Sequence, residues 1–263
     1  IIVGEKFLNK VYSQVGVHDS IFEILQAKNG CDSIVMHKVV VRPTAMNYYV
    51  KTKKVNKGDG SNWENAMDGD AFETYLPLAP DGATFHIAAG TYMPKKEYVN
   101  QYGISEDKRF VVNSSVRLIG GYSDKAKEGD KPNPALYETV FSGDVNGDTK
   151  VNIVKSVAGR DSLVFSNNSD DLTYVLYCSQ SHMEQIKPTI SESDTAFYLY
   201  GIVIRYGKFC GVELDHSYNA YSIVENSTFE YNEHGAYLQQ SAVVFTNCVF
   251  KNNNKGLSRH DGQ

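Results

Sequence analysis

The sequence predicts an all-β protein whose main part is a right-handed parallel β-helix, and two observations favour this fold. Short runs rich in Val, Ile, Tyr and Phe follow one another with turn residues between them, as in a series of short strands. In addition, "NSTFEYNEHG" (226–235) and "NCVFKNNNKG" (247–256) carry Asn, Phe, Asn and Gly at the same four offsets. The repeat length of 21 to 24 residues fits one turn of a solenoid and is too short for a propeller blade. The right-handed sense follows from the usual crossover rule.

Each copy of the repeat is interpreted as a corner, a strand and a second corner. A third copy, "LYGIVIRYGKFCG" (199–211), aligns Ile204 with Phe229 and Phe250. Stacked coils would place these side chains about 4.8 Å apart in a continuous core. The Gly and Asn positions fall at the corners, where a left-handed backbone is tolerated and stacked Asn side chains can bond to each other and to the backbone.

A short helix is predicted before the repeats begin. The stretch "GDGSNWENAM" provides Ser61 or Asn62 as a helix cap and places Trp63 and Ala66 on one helix face. We expect this helix to cover the open end of the β-helix core, because an uncovered end would expose apolar surface and unpaired backbone groups.

The chain divides at a short linker after Pro43. Residues 1–43 contain an Asn29–Gly30 hairpin turn followed by a predicted strand from Ser33 to Val41. Residues 47–263 form the predicted β-helix domain, which we expect to continue beyond the end of this chain, within a longer precursor.

Two parts of the chain resemble known families. "NGCDSIV" followed by "VVVRP" resembles the closing strands of small β-sandwich repeats in large secreted proteins of Bacteroidetes-type bacteria, which implies a small β-sandwich-like module, complete or partial, at 1–43. The rest resembles the pectin-lyase-like β-helix superfamily, especially its bacterial cell-surface branch related to polymorphic outer-membrane protein repeats. The landmarks of this second resemblance, which together cover most of 47–256, are "YYVKT", "GDGSNWENAM", "DGATFHIAAGTYMP", "VRLIGGYS", "ETVFSGDVNGD" and "NCVFKNN". The resemblance implies a secreted or outer-surface protein, but its members include lyases, hydrolases and adhesins, so it selects no activity.

Composition excludes several classes of partner. The net charge is −5 and Lys and Arg are not clustered, so no nucleic-acid partner is predicted. No apolar run approaches the roughly 18 residues of a membrane span. The four cysteines form no C-x-x-C pair, which argues against a zinc or redox motif and leaves any disulfide open.

Candidate functional residues lie on the strands that follow the repeated glycines, "GVELDH", "GAYLQQ" and "GLSRHD". Val212, Ala236 and Leu257 are predicted to face inward, and alternate residues to face outward. The predicted outer face consists of Glu213, Asp215, Tyr237, Gln239, Ser258 and His260. Glu213, Asp215 and His260 are the catalytic candidates, with about 6.6 Å between the Cα atoms of the two acids, while Tyr237 and Gln239 are candidates for ligand binding. The alternative interpretation is an ordinary solvated sheet face.

One loop carries a weak calcium pattern, and no other cofactor is predicted. In "GDVNGDTKVN" (143–152), Asp144, Asn146 and Asp148 alternate as oxygen ligands do in calcium loops. Thr149 and Lys155 stand where such a loop needs a glycine and a bidentate acid, and a polar turn after a strand explains the segment equally well.

Two functional classes remain open. The preferred prediction is a secreted or cell-surface protein that binds a polysaccharide or cell-surface glycan, since exposed Tyr rings stack on sugars and the chain has 18 of them. The alternative is a polysaccharide lyase or glycoside hydrolase acting on an extended polysaccharide. In either case we expect the ligand on the outer face, because a packed interior leaves no room for sugar, and residues 84–123 are the next surface to consider.

Overall fold

The computed structural model describes residues 1–26, 32–99, 105–155, 161–179, 195–215 and 221–260, without the side chains of 161–162, 195–196 and 221. The molecule is 54% strand and 6% helix, which confirms the predicted all-β class. Within these ranges, no helix has the length and apolar character needed to cross a bilayer.

The first 43 residues form two small antiparallel sheets. One pairs β1 (Lys6–Phe7) with β2 (Lys10–Val11), and the other pairs β3 (Gly16–Gln26) with β4 (Asp32–Val41). The long hairpin agrees with the predicted strand, while the predicted Asn29–Gly30 turn lies outside the described residues. The β-sandwich-like module stays a prediction.

Three parallel sheets make up most of the remaining chain. Sheet I contains, in spatial order, β5 (Asn47–Val50), β6 (Thr84–Ala88), β11 (Val116–Tyr122), β16 (Thr195–Tyr200), β19 (Tyr221–Glu225) and β22 (Ala242–Thr246). Sheet II contains β7 (Gly90–Tyr92), β12 (Thr139–Ser142), β17 (Ile202–Arg205), β20 (Thr228–Glu230) and β23 (Val249–Lys251). Sheet III contains β10 (Phe110–Val112), β15 (Tyr174–Ser179), β18 (Cys210–Asp215), β21 (His234–Gln239) and β24 (Lys255–His260).

The order of the strands along the chain is regular. From β6 onward the described chain visits sheet I, sheet II and sheet III in turn, five times, and we call each such round a coil. Two antiparallel hairpins are inserted between sheets II and III, formed by β8 (Glu97–Val99) with β9 (Ser105–Lys108) and by β13 (Lys150–Lys155) with β14 (Asp161–Ser166). This topology is compatible with a parallel β-helix.

Side chains stack between coils as the repeat predicts. Ile204 pairs with Phe229, and Phe229 pairs with Phe250. The rings of Phe229 and Phe250 are stacked with their centroids 4.8 Å apart. Ile204 and Phe229 are fully buried, so the repeat builds a continuous core of the predicted kind.

The helix that covers the end of this core is not the predicted one. The segment at Trp63–Asn65 is a single 3-10 turn capped by Asn62, because Met67 next pairs with β5 instead of continuing the helix. An α-helix, α1 (Gly69–Tyr75), follows with Asp68 as its cap, and a second 3-10 turn runs from Leu76 to Leu78.

Phe72 of α1 closes the core. Its ring lies 5.3 Å from Phe85 of sheet I, 5.4 Å from Phe110 of sheet III and 5.9 Å from Phe141 of sheet II, measured between centroids. One buried side chain therefore contacts all three sheets.

The corners between sheets I and II follow the prediction. Gly201, Asn226 and Asn247 have φ values of 65°, 50° and 52°, in the left-handed region. At the next corner the left-handed residues are Tyr206, Tyr231 and Asn252, each one position before the predicted residue. Asn232 contributes to this corner through the hydrogen bonds of its side chain instead.

Asn232 is fully buried and its side chain links neighbouring coils. Its Oδ1 accepts a hydrogen bond from the Gly207 amide at 2.8 Å, and its Nδ2 donates to the Asn253 Oδ1 at 3.1 Å. The stacked asparagines therefore bond to each other and to the backbone, as the sequence predicts.

The second residue of β18, of β21 and of β24 is a glycine, and the structure gives a different reason for these glycines from the predicted one. None of Gly211, Gly235 and Gly256 has a positive φ. A Cβ on Gly235 would lie 2.6 Å from the carbonyl oxygen of Gly256, and a Cβ on Gly211 would lie 2.8 Å from that of Gly235. Close approach of successive coils therefore requires glycine at these two positions.

Candidate functional site

The outer face of sheet III brings the predicted site residues together. Tyr177, Glu213, Tyr237 and Ser258 are register partners on four neighbouring strands. A second row beside it contains Ser179, Asp215, Gln239 and His260. Their inward neighbours Val212 and Ala236 are fully buried, so the predicted alternation holds across β18 and β21. Leu257 is paired in register but half exposed, because no described strand lies beyond β24.

Glu213 points away from the core and yet is only 4% exposed. The Gln239 amide donates a hydrogen bond to its Oε1. Burial raises the pKa of Glu213 to about 7, the negative charge of Asp215 adds to this rise, and the Gln239 bond and the positive charge of Arg109 oppose it. Burial also raises the pKa of Asp215, which is less enclosed. The part of the sheet face around Glu213 is therefore covered, in contrast to the simple solvated face that alternation alone suggests.

Arg109 is the central residue of this cover, and no motif or pattern in the sequence indicates its role. Its guanidinium carbon lies 4.5 Å from the ring centroid of Tyr174, 5.2 Å from that of Tyr98 and 5.4 Å from that of Tyr177. Its Nη2 lies 3.0 Å from the Glu106 carboxylate. Arg109 is 7% exposed, and a buried guanidinium is tolerated when it is paired and faces aromatic rings.

The β8–β9 hairpin explains why this cluster was missed. Tyr98 comes from β8, and its ring lies 5.9 Å from that of Tyr177. The hairpin is thus an insertion between sheets II and III that reaches the outer face of sheet III. The alternation of inward and outward residues along a strand cannot predict such a contact, because it indicates only which face of its own strand a residue occupies.

Aromatic rings continue across the sheet from this cluster. Phe209 lies 5.5 Å from Tyr174 and 5.1 Å from Tyr237, between ring centroids. We call the half-buried rings of Tyr98, Tyr174, Tyr177, Phe209 and Tyr237 the tyrosine face. Beside it, His234 is buried and its Nδ1 lies 2.6 Å from the Ser258 hydroxyl. The catalytic candidate His260 lies exposed on β24.

The candidate calcium loop forms a tight turn. The Oδ1 of Asp144 accepts hydrogen bonds from the amides of Gly147 at 2.8 Å and Asp148 at 3.1 Å. Asp144 is buried, while Asn146 and Asp148 are exposed. Across the described ranges, no three His, Cys, Asp or Glu residues are grouped so that they could hold a metal ion. Calcium binding through Asn146 and the two acids stays a prediction.

Comparisons with known proteins do not place the chain in a family. No protein-family model, no curated protein and no solved structure matches it. The quoted sequence landmarks and the parallel sheets are therefore the basis for comparing this protein with the β-helix superfamily.

Proposed function

We propose that this chain is a right-handed parallel β-helix of the pectin-lyase-like type, secreted or held at the cell surface, whose tyrosine face binds an extended glycan. The observation that supports this function is the continuous row of five half-buried aromatic rings on the outer side of sheet III. Tyr and Phe rings offer apolar faces to sugar rings, and Tyr hydroxyls bond to sugar hydroxyls.

The spacing and rigidity of the tyrosine face suit a polymer. Successive strands lie about 4.8 Å apart, so one extended chain would contact several coils, and linked weak contacts give useful affinity. The Arg109 guanidinium lies against three of the rings and is fixed by Glu106. Rings that are already fixed lose little conformational entropy on binding.

The charges of the surface favour a neutral glycan. Glu213 and Asp215 lie in the middle of the outer face, whereas the nearby positive charge of Arg109 is neutralised by Glu106. An acidic polysaccharide would bring further carboxylates close to these two acids, and like charges repel. We therefore expect neutral glucans, xylans or mannans to bind more tightly than polygalacturonate.

Binding assays with matched variants test this proposal. Wild-type protein, Tyr237→Ala and Asp215→Ala are titrated with soluble neutral polysaccharides and with polygalacturonate, and Tyr198→Ala on the outer side of sheet I serves as the control. Loss of one stacking ring is expected to weaken binding by about tenfold, with Tyr198→Ala unchanged. Retention of full affinity by both sheet III variants would show that the ligand binds elsewhere.

The alternative, a glycan-cleaving enzyme, rests on one specific observation. Glu213 has a pKa of about 7, suited to a general acid, and Asp215 lies two residues away on the same face. Against this stands the geometry of Glu213, which is 4% exposed and already bonded to Gln239. Assays for new reducing ends and for unsaturated products on the same polysaccharides separate the two functions, since activity lost in Glu213→Gln would favour the enzyme.

A further inference from the structure

A pocket of about 360 Å³ lies between the start of β3, α1 with its following 3-10 turn, the β8–β9 hairpin and the first strand of sheet III. Val17, Leu78, Val111 and the ring of Tyr98 contribute to its apolar walls, and Glu73 belongs to its polar lining. This volume is within the range typical of small-molecule sites.

Glu73 is the unusual group in the wall of this pocket. It is only 7% exposed, and its Oε1 accepts hydrogen bonds from the amides of Lys95 at 2.9 Å and Lys96 at 2.7 Å. Its Oε2 is buried and has no hydrogen-bond partner among the residues that the structure describes. A buried carboxylate oxygen without a partner is costly, and most such atoms in proteins are satisfied.

The cationic side chains near the pocket have partners other than the Glu73 carboxylate. The Lys95 ammonium lies 2.7 Å from Asp70, and the Lys96 ammonium donates to the Thr74 hydroxyl. Arg109, the other cation of the pocket lining, is paired with Glu106. Burial raises the pKa of Glu73, and this rise is opposed by the two backbone amides on one of its oxygens and by the positive charge of Lys96.

We propose that this pocket binds a small organic ammonium ion, whose N–H group donates to the unpartnered Oε2 of Glu73 once the carboxylate turns toward the pocket, while its apolar body packs against Leu78, Tyr98 and Val111. An ammonium donor supplies both the missing hydrogen bond and the missing positive charge. The apolar walls supply the burial that holds the rest of the ligand. This site is separate from glycan binding on the tyrosine face, and neither proposal depends on the other.

Benzylammonium is the probe, titrated by calorimetry into the whole chain at about pH 8, where the amine is charged. Benzyl alcohol has the same apolar body and a neutral donor, so it isolates the contribution of charge. We expect benzylammonium to bind at least about tenfold more tightly than benzyl alcohol, as a charge-assisted hydrogen bond implies.

Three variants locate the interaction. Glu73→Gln keeps an oxygen for the two backbone amides but replaces the free acceptor with a donor, so benzylammonium should bind about tenfold more weakly or not at all. Glu97→Gln removes an equal charge from an exposed residue of the same pocket and should change binding less than about threefold. Lys96→Met removes the nearest competing ammonium and should strengthen binding about two- to threefold.

The affinities of the wild type and the variants either support or overturn the proposal. A loss in Glu73→Gln together with a gain in Lys96→Met supports the proposal, because a folding defect cannot produce the gain. Thermal unfolding of each variant is followed in parallel by circular dichroism. Absence of benzylammonium binding to the wild type, equal binding of benzyl alcohol, or equal losses in Glu73→Gln and Glu97→Gln would each overturn it.

Discussion

Replacement of Asn232 tests how the coils are held together. In Asn232→Ala the buried Gly207 amide loses its acceptor, and the carbonyl oxygens of Ile204 and Glu230 lose the Nδ2 donor that now lies 3.1 Å and 3.0 Å away. A buried donor left without a partner costs about 1–3 kcal/mol by itself. With the lost contact to Asn253 included, we expect the free energy of unfolding to fall by about 3 kcal/mol.

Urea unfolding followed by circular dichroism measures this loss. Asn254→Ala is the matched control, because Asn254 is an exposed asparagine in the next coil and should change stability by no more than about 0.5 kcal/mol. Asn232→Asp provides a second test. One oxygen of the new carboxylate would face three acceptor oxygens, and this repulsion would raise the folded-state pKa of the new acid. Such a variant is more stable at low pH and loses stability as the pH rises through that pKa. A stability of Asn232→Ala equal to that of Asn254→Ala would refute the proposed role of the buried asparagine.

Three further predictions concern packing and charge. Gly235→Ala should destabilise the protein by about 1–3 kcal/mol, because the new Cβ would lie 2.6 Å from a carbonyl oxygen. Gly256→Ala should be tolerated, because the nearest atom to its Cβ would be 3.5 Å away. Equal melting temperatures for the two variants would contradict this prediction. Phe72→Ala should lower the free energy of unfolding by about 3–5 kcal/mol, measured in urea, because it opens a cavity where all three sheets meet. Burial raises the pKa of Glu213 from 4.5 to about 7, so this group opposes folding when it is charged. The free energy of unfolding should therefore decline by about 3 kcal/mol as the pH rises from about 4.5 to 7. In Glu213→Gln most of that decline in the free energy of unfolding should disappear. If the free energy of unfolding of this variant falls with pH as steeply as that of the wild type, Glu213 is not the group responsible.

Much of the fold could be predicted from the sequence, because equivalent positions of the repeat are the residues that stack on one another in successive coils. The alignment of Ile204 with Phe229 and Phe250 gives the observed register, and the Asn226 and Asn247 corners have the expected backbone. These predictions succeed because each depends on contacts between equivalent positions of successive coils.

Features that depend on non-repeating segments could not be predicted from the repeat. The helix that closes the core is α1, which begins after the predicted segment, since the pairing of Met67 with β5 has no signal in helix propensity. The repeat predicts a left-handed backbone at Gly235, whereas the structure shows that glycine is needed there because the next coil approaches closely.

The candidate site shows the same division. Alternation along the strands placed Glu213, Asp215, Tyr237 and Gln239 on one outer face, and the structure brings them together. The burial of Glu213 and the role of Arg109 depend on an inserted hairpin that reaches this face. No pattern within a single strand could predict a contact made by a separate segment of the chain.

Tyrosine footprinting tests the central claim most directly. The chain is oxidised with hydroxyl radicals in the presence and absence of the neutral polysaccharide that binds it best, and modification of each Tyr is quantified by mass spectrometry. If the ligand lies on the tyrosine face, it will protect Tyr177 and Tyr237, which are half-buried on the outer side of sheet III, and leave Tyr49 and Tyr198 on sheet I unchanged. Protection of Tyr198 with no change at Tyr177 and Tyr237 would contradict the account and place the glycan on sheet I.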